Sequence, residues 1–176
     1  MNVRQPYKLY RILPLIVAFV FVGAGCAKPG TVGVDVGQIA QDFTLTSFDG
    51  ETVSLSDFEG QSVFLDFWAA WCPFCIGEIP EIEAIHQSYG SDVVVIGIHR
   101  TATEPAERGE KFVNELGVTY LLLKDDLDEV YGAYSGGRPF MPLAILIDGD
   151  GVIVERFIGP KTSEQMHAAF ETLMTK

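Results

Sequence analysis

The stretch Val63 to Pro80, V-F-L-D-F-W-A-A-W-C-P-F-C-I-G-E-I-P, limits the folds open to this chain more than any other. It begins as an apolar run, Val63 to Trp68, with the composition of a buried strand. After Ala69-Ala70 and Trp71-Cys72-Pro73-Phe74-Cys75 the pattern turns helical. Ile79, Ile82, Ile85 and Tyr89 recur at spacings of three and four, with Glu78, Glu81 and Glu83 between them. A Cys-x-x-Cys pair therefore sits where a strand ends and a helix begins.

That placement implies chemistry. Cys72 falls at the helix N-terminus, where unpaired backbone N–H groups and the helix dipole favour a thiolate. A thiolate attacks disulfides, whereas a thiol does not. Pro73 suits the first helical turn, which has no use for its missing N–H. Cys75, three residues on, lies on the same face, close enough to resolve a mixed disulfide. The competing readings are a structural disulfide, half a zinc site and inert core. A zinc site needs four ligands, and the chain has no second Cys pair, while His86, His99 and His167 are scattered. A disulfide across two residues closes almost no loop and would stabilise little.

The segment F-L-D-F-W-A-A-W-C-P-F-C resembles the active-site segment of thioredoxins. The wider pattern resembles the membrane-anchored, extracytoplasmic thioredoxin-like proteins of the TlpA/ResA type. G-Q-I-A-Q-D-F-T-L (37–45), D-G-E-T-V-S-L-S-D-F-E-G (49–60) and M-P-L-A-I-L-I-D-G-D-G-V-I (141–153) match that family's leading hairpin and closing segment. The resemblance spans roughly residues 36 to 175. It implies an α/β thioredoxin fold: a central mixed β-sheet with helices on both faces and an N-terminal β-hairpin extension. It also implies a redox-active Cys72–Cys75 disulfide and no other cofactor.

Residues 1–25 carry Arg4, Lys8 and Arg11 and no acid, so the remainder holds all 24 acidic residues and a charge near −15. So acidic a chain is a poor partner for nucleic acid or an anionic membrane surface. Residues 1–25 are expected to be an export leader: a basic start, an apolar stretch from Ile12 to Val22, then Gly23-Ala24-Gly25. The apolar stretch is about half of the ~20 residues that a membrane span needs. Cys26 follows, in a segment that resembles a bacterial lipobox with Gly23 in place of the usual Leu. Lipidation of Cys26, ordinary cleavage near the small residues, and an uncleaved anchor all stay open. Residues 26–36 are expected to be a tether and 37–176 the thioredoxin-like domain.

Along the domain, Phe43–Thr46 and Thr52–Ser54 flank Asp49-Gly50, a hairpin signal. Leu55–Phe58 is expected as one helical turn. Val93–Ile98 reads as a buried parallel strand. Thr101–Leu116 reads as a helix with Pro105 in its first turn, and Leu127–Tyr134 as a short helix. Tyr120–Leu123, Leu143–Ile147 and Val152–Phe157 read as strands, the last two joined by Asp148-Gly149-Asp150-Gly151, a turn lacking the rest of a calcium loop. The last helix starts near Thr162 with Met166, Phe170, Leu173 and Met174 as its core stripe.

Six further residues are candidates for the site. Asp66 lies mid-strand, where alternation turns its side chain inward. It reads either as a well-paired structural carboxylate or as a buried acid of raised pKa that takes a proton from Cys75. Thioredoxins carry an Asp at the matching position. Glu78 matches a functional Glu of ResA-like proteins, and equally suits a solvated glutamate near a helix start. Pro142 matches the family's cis proline facing the Cys pair, which puts the backbone of Met141 in line to pair with a substrate strand. Trp71 and Phe74 read as core packing or as an exposed rim for partner proteins. His99, at the end of a strand, could face the site but is taken as surface, and Pro80 as the helix kink found in the family.

The resemblance implies an extracytoplasmic, lipid-anchored thiol–disulfide oxidoreductase that reduces disulfides in exported proteins, apocytochrome c among them, supplied by a membrane thiol-electron transporter. Two alternatives stand beside it. A peroxiredoxin-like thiol peroxidase would place Pro and Thr shortly before its cysteine, where this chain has Phe67 to Trp71. A copper-binding assembly protein of thioredoxin fold would want a wider Cys spacing and a distal His.

Overall fold

The computed structural model describes residues 30–174. The leader, Cys26 and the first part of the expected tether lie outside the described residues. Among those described, no helix is long and apolar enough to cross a membrane.

Strands β1 (Val32–Gly33) and β2 (Ile39–Ala40) form a small parallel pair. The hairpin β3 (Thr44–Ser47) and β4 (Thr52–Ser54) follows, then a 3-10 turn at Leu55–Phe58. β5 (Ser62–Trp68) leads into α1 (Pro73–Tyr89), and β6 (Val93–His99) into α2 (Ala106–Glu115). β7 (Leu121–Lys124), α3 (Glu129–Ser135), β8 (Leu143–Ile147), β9 (Ile153–Ile158) and α4 (Ser163–Met174) complete the order. The sheet runs β4-β3-β7-β6-β5-β8-β9, with β5, β6 and β7 parallel and every other pairing antiparallel. This is the expected mixed sheet with its leading hairpin.

Alternation along β5 builds the two layers. Val63, Leu65 and Phe67 face one side with Tyr131 and Tyr134 of α3. Phe64 faces the other with Ile82 and Ile85 of α1 and Met166, Phe170 and Leu173 of α4. Trp68 joins Ile79 of α1 and Val113 of α2 on that same side, in the cluster that also contains both cysteines. Helices therefore cover both faces, and Asp66, in phase with Phe64 and Trp68, is directed under α1.

Three expectations change. The expected tether is tied down from Thr31 onward: Ile39 donates to the Thr31 carbonyl, Val34 packs on the core, and Arg156 Nη1 donates to the Val34 carbonyl at 2.6 Å. The helix expected over 101–116 is broken, with a 3-10 turn at Thr101–Thr103 and α2 starting only after Pro105. The residue before a proline is held out of the helical region, and Glu104 is extended at φ −159°, ψ 158°. Met174 is half exposed, since Met166, Phe170 and Leu173 already complete the buried stripe.

Candidate active site

β5 ends at Trp68, and Ala69–Trp71 turns the chain into α1. Cys72 is the N-cap of α1, in an extended conformation, and Pro73 occupies its first turn. The Cys75 backbone N–H donates to Cys72 Sγ at 3.2 Å. A sulfur held by a helix N-terminal amide is stabilised as the thiolate. The two cysteines form a disulfide, with their Cα atoms 5.3 Å apart. Cys72 is 2 % and Cys75 1 % exposed, while Trp71 and Phe74 beside them stand out at 42 % and 60 %. Neither aromatic is packed in the core. Trp71 is also anchored, its Nε1 donating to Thr103 Oγ1 at 3.0 Å. The Met141–Pro142 bond is cis, Pro142 is buried, and Met141 packs against the cluster that contains the cysteines.

Under the helix lies a buried charge cluster. Asp66 and Glu78 both bind Lys161, a residue the sequence reading passed over. Lys161 Nζ donates to Asp66 Oδ1 at 3.1 Å and to Glu78 Oε2 at 2.5 Å, and the Lys161 backbone N–H donates to Glu78 Oε1 at 2.7 Å. All three residues are at most 8 % exposed. Glu78 is thus a buried clamp between α1 and the β9–α4 connection, not a solvated glutamate. On β6 the residue paired with Asp66 is Gly97, where a Cβ would come within 2.8 Å of Leu122 and 2.9 Å of Tyr120. A side chain there would have to displace Leu122 and Tyr120, and the cation that Asp66 binds comes from 95 positions along the chain.

Burial pushes the Asp66 carboxyl up to about 6, with Lys161 pulling down and Glu78 adding to the rise. For Lys161, burial alone would lower the pKa, but the two carboxylates outweigh it and hold the amine charged. Two carboxylates and one ammonium carry a net negative charge when all are ionised, so a proton on Asp66 neutralises the cluster. Because its folded pKa is raised above the ordinary 3.8, the stability associated with Asp66 is fully present below about pH 3.8 and lost as pH rises through about 6. Asp66→Asn should therefore be more stable than wild type at pH 8, by about 2–3 kcal/mol, with the difference closing below pH 4. Denaturant titrations of both proteins across that range check this. Taking the difference cancels the opposite pH trend of His99.

His99 corrects an expectation. It is fully buried, stacked on Trp68 with ring centroids 4.4 Å apart, and its Nε2 lies 2.8 Å from Glu104 Oε1. Burial lowers its pKa, against the pull of Glu104. Gly109 on α2 makes the space: a Cβ there would fall 2.3 Å from His99 Cε1.

A strand that carries a buried carboxylate and leads into a buried Cys-x-x-Cys disulfide at a helix N-terminus, with a cis proline whose preceding Met141 packs against the cysteines' cluster, defines a thioredoxin-fold thiol–disulfide oxidoreductase. The chain belongs to the AhpC/TSA family, whose model matches residues 36–156. It is 33 % identical over 134 residues to the thiol-disulfide oxidoreductase ResA of Bacillus anthracis, covering 76 % of this chain and 75 % of that one. It is 37 % identical over 138 residues to the ResA of Halalkalibacterium halodurans, covering 78 % and 76 %. A solution structure from Bacteroides thetaiotaomicron, described as a candidate protein disulfide isomerase, superposes with a TM-score of 0.71 at 32 % identity, covering 83 % of this chain and 95 % of that one.

Proposed function

We propose that this protein is an extracytoplasmic reductant of disulfides in exported proteins, held at a membrane by its N-terminus. The observation that carries the reading is the Cys72 sulfur accepting from the Cys75 amide in the first turn of α1, the helix whose Glu78 joins Asp66 and Lys161 in a buried charge cluster. The reduced protein attacks with the Cys72 thiolate, releasing one sulfur of the partner disulfide and forming a Cys72–partner bond. Cys75 loses its proton, attacks Cys72 Sγ and expels the partner's second sulfur as a thiol. One disulfide is reduced and one is formed. Asp66 is the proton acceptor for Cys75, and Glu78 and Lys161 set its charge. Because the cysteines are nearly buried, a partner must settle over Trp71, Phe74 and Met141 to reach Cys72. The Met141 main chain, ahead of the cis Pro142, lies in line to pair with the incoming strand.

Sequence features support the location: the basic and apolar leader, and Cys26 as a lipidation site. Apocytochrome c is one substrate that the family resemblance suggests, with a membrane thiol-electron transporter as the source of reducing equivalents. The direction is tested by the reduction potential of the pair in the full chain, equilibrated against glutathione. A reductant should lie near thioredoxin, about −270 mV, or below. A value near about −120 mV would make the protein a disulfide donor instead.

A further inference from the structure

The turn that carries Cys72 is held from one side by a single segment, 100–108. The Arg100 N–H donates to the Trp68 carbonyl at 3.0 Å. Thr103 Oγ1 accepts from the Trp71 indole. Arg108 Nη2 reaches the Ala70 carbonyl at 3.5 Å. Between them, Glu104 Oε1 accepts from the Ala70 backbone N–H, two residues before Cys72. A buried backbone N–H must find an acceptor, and here a side chain 34 positions away supplies it.

The carboxylate is itself held. Its side chain is 3 % exposed, His99 Nε2 meets the same Oε1 at 2.8 Å, and Arg108 Nε stands 3.3 Å from Oε2. His99 in turn is wedged between Trp68 and the bare backbone of Gly109. A buried carboxylate is expensive unless paired and hydrogen-bonded. Ala and Leu at such a position would serve packing alone. The arrangement spends three polar partners on fixing one peptide of the active-site turn.

We propose that Glu104 is a positioning residue for disulfide exchange: its carboxylate, held by His99 and Arg108, fixes the Ala70 peptide and so keeps Cys72 on the N-terminal amide of α1. The proposal rests on Cys72 being the attacking thiol. Without Glu104 the Ala70 N–H is orphaned, the turn relaxes, and Cys72 loses its fixed place against the Cys75 amide. The helix-terminal stabilisation of the thiolate then weakens, because it falls off within one turn.

The test uses the full chain as wild type, Glu104→Ala, Glu104→Gln and Glu104→Asp. Three quantities are read: the Cys72 thiolate titration by absorbance at 240 nm, the rate constant for reducing a small aromatic disulfide, and Tm. Glu104→Ala should move the thiolate titration to higher pH and slow the exchange at neutral pH by about threefold to tenfold, the scale of the net contribution of one hydrogen bond. Glu104→Gln, which keeps an acceptor for the Ala70 N–H, should recover most of that rate although it loses the ion pair. If Glu104→Ala does not fold, Glu104→Asp, whose shorter side chain withdraws the carboxylate, takes its place with the same expected direction. A lowered Tm with thiolate titration and rate unchanged from wild type overturns the proposal, as does a Glu104→Gln that behaves like Glu104→Ala. A wild-type protein with no exchange at all, or a Cys72→Ser variant that retains it, would instead strike the role of Cys72 and be recognisable as such.

Discussion

Lys161→Met should cost about 3–5 kcal/mol of stability at pH 8, the range for removing one partner of a buried ion pair. The methionine fills much of the same volume, so the loss is not a cavity effect. It arises because Asp66 and Glu78 are left as neighbouring buried carboxylates with no cation, and two like charges in a poorly solvated site repel strongly. The cost should shrink at pH 5, where a proton on Asp66 leaves one charge in the cluster. The Lys161 backbone N–H keeps its bond to Glu78 in the variant, so the effect reports the ammonium alone. Denaturant unfolding at both pH values checks this. A loss under about 1 kcal/mol, or one independent of pH, would show that the cluster does not depend on its lysine.

Cys72→Ser should lower the rate of disulfide reduction by about a thousandfold or more, below what most single active-site losses leave. Oxygen cannot replace sulfur here. A serine hydroxyl is not ionised near neutral pH even at a helix N-terminus, and it forms no bond exchangeable with a disulfide. The fold should survive, since the replacement is nearly isosteric and the Cys75 amide can still donate to the hydroxyl. Turnover of a model disulfide with wild type as reference measures the loss. A residual rate within tenfold of wild type would mean that Cys75 attacks on its own.

The readable parts of this chain were those set by local order. β5, the cysteine pair and α1 are continuous in sequence, and their periods of two and of three to four show directly. Asp66 was legible as buried because it alternates with Phe64 and Trp68. Lys161 was not, because its partners lie on β5 and α1 and the contact exists only once the β9–α4 connection folds over them. A faint signal was present: a lysine just before a helix start is unfavourable to the dipole, so its place there asks for a reason. His99 looked like surface because it ends its strand beside Arg100 and Thr101. Gly109, ten residues later and unremarked, is what admits it. The segment 31–36 looked like a tether because two-residue strands leave no periodic mark, and the core contact of Val34 depends on β9.

The measurement that bears most directly on the central claim is a trapping experiment with reduced Cys75→Ser in the full chain. Offered a protein disulfide, this variant can attack through Cys72 but cannot resolve. A stable mixed disulfide, mapped by peptide mass to Cys72 and absent from Cys72→Ser, is the predicted result. An adduct on neither variant, or the same adduct on Cys72→Ser, would contradict the assignment of Cys72 as the attacking thiol and Cys75 as the resolving one.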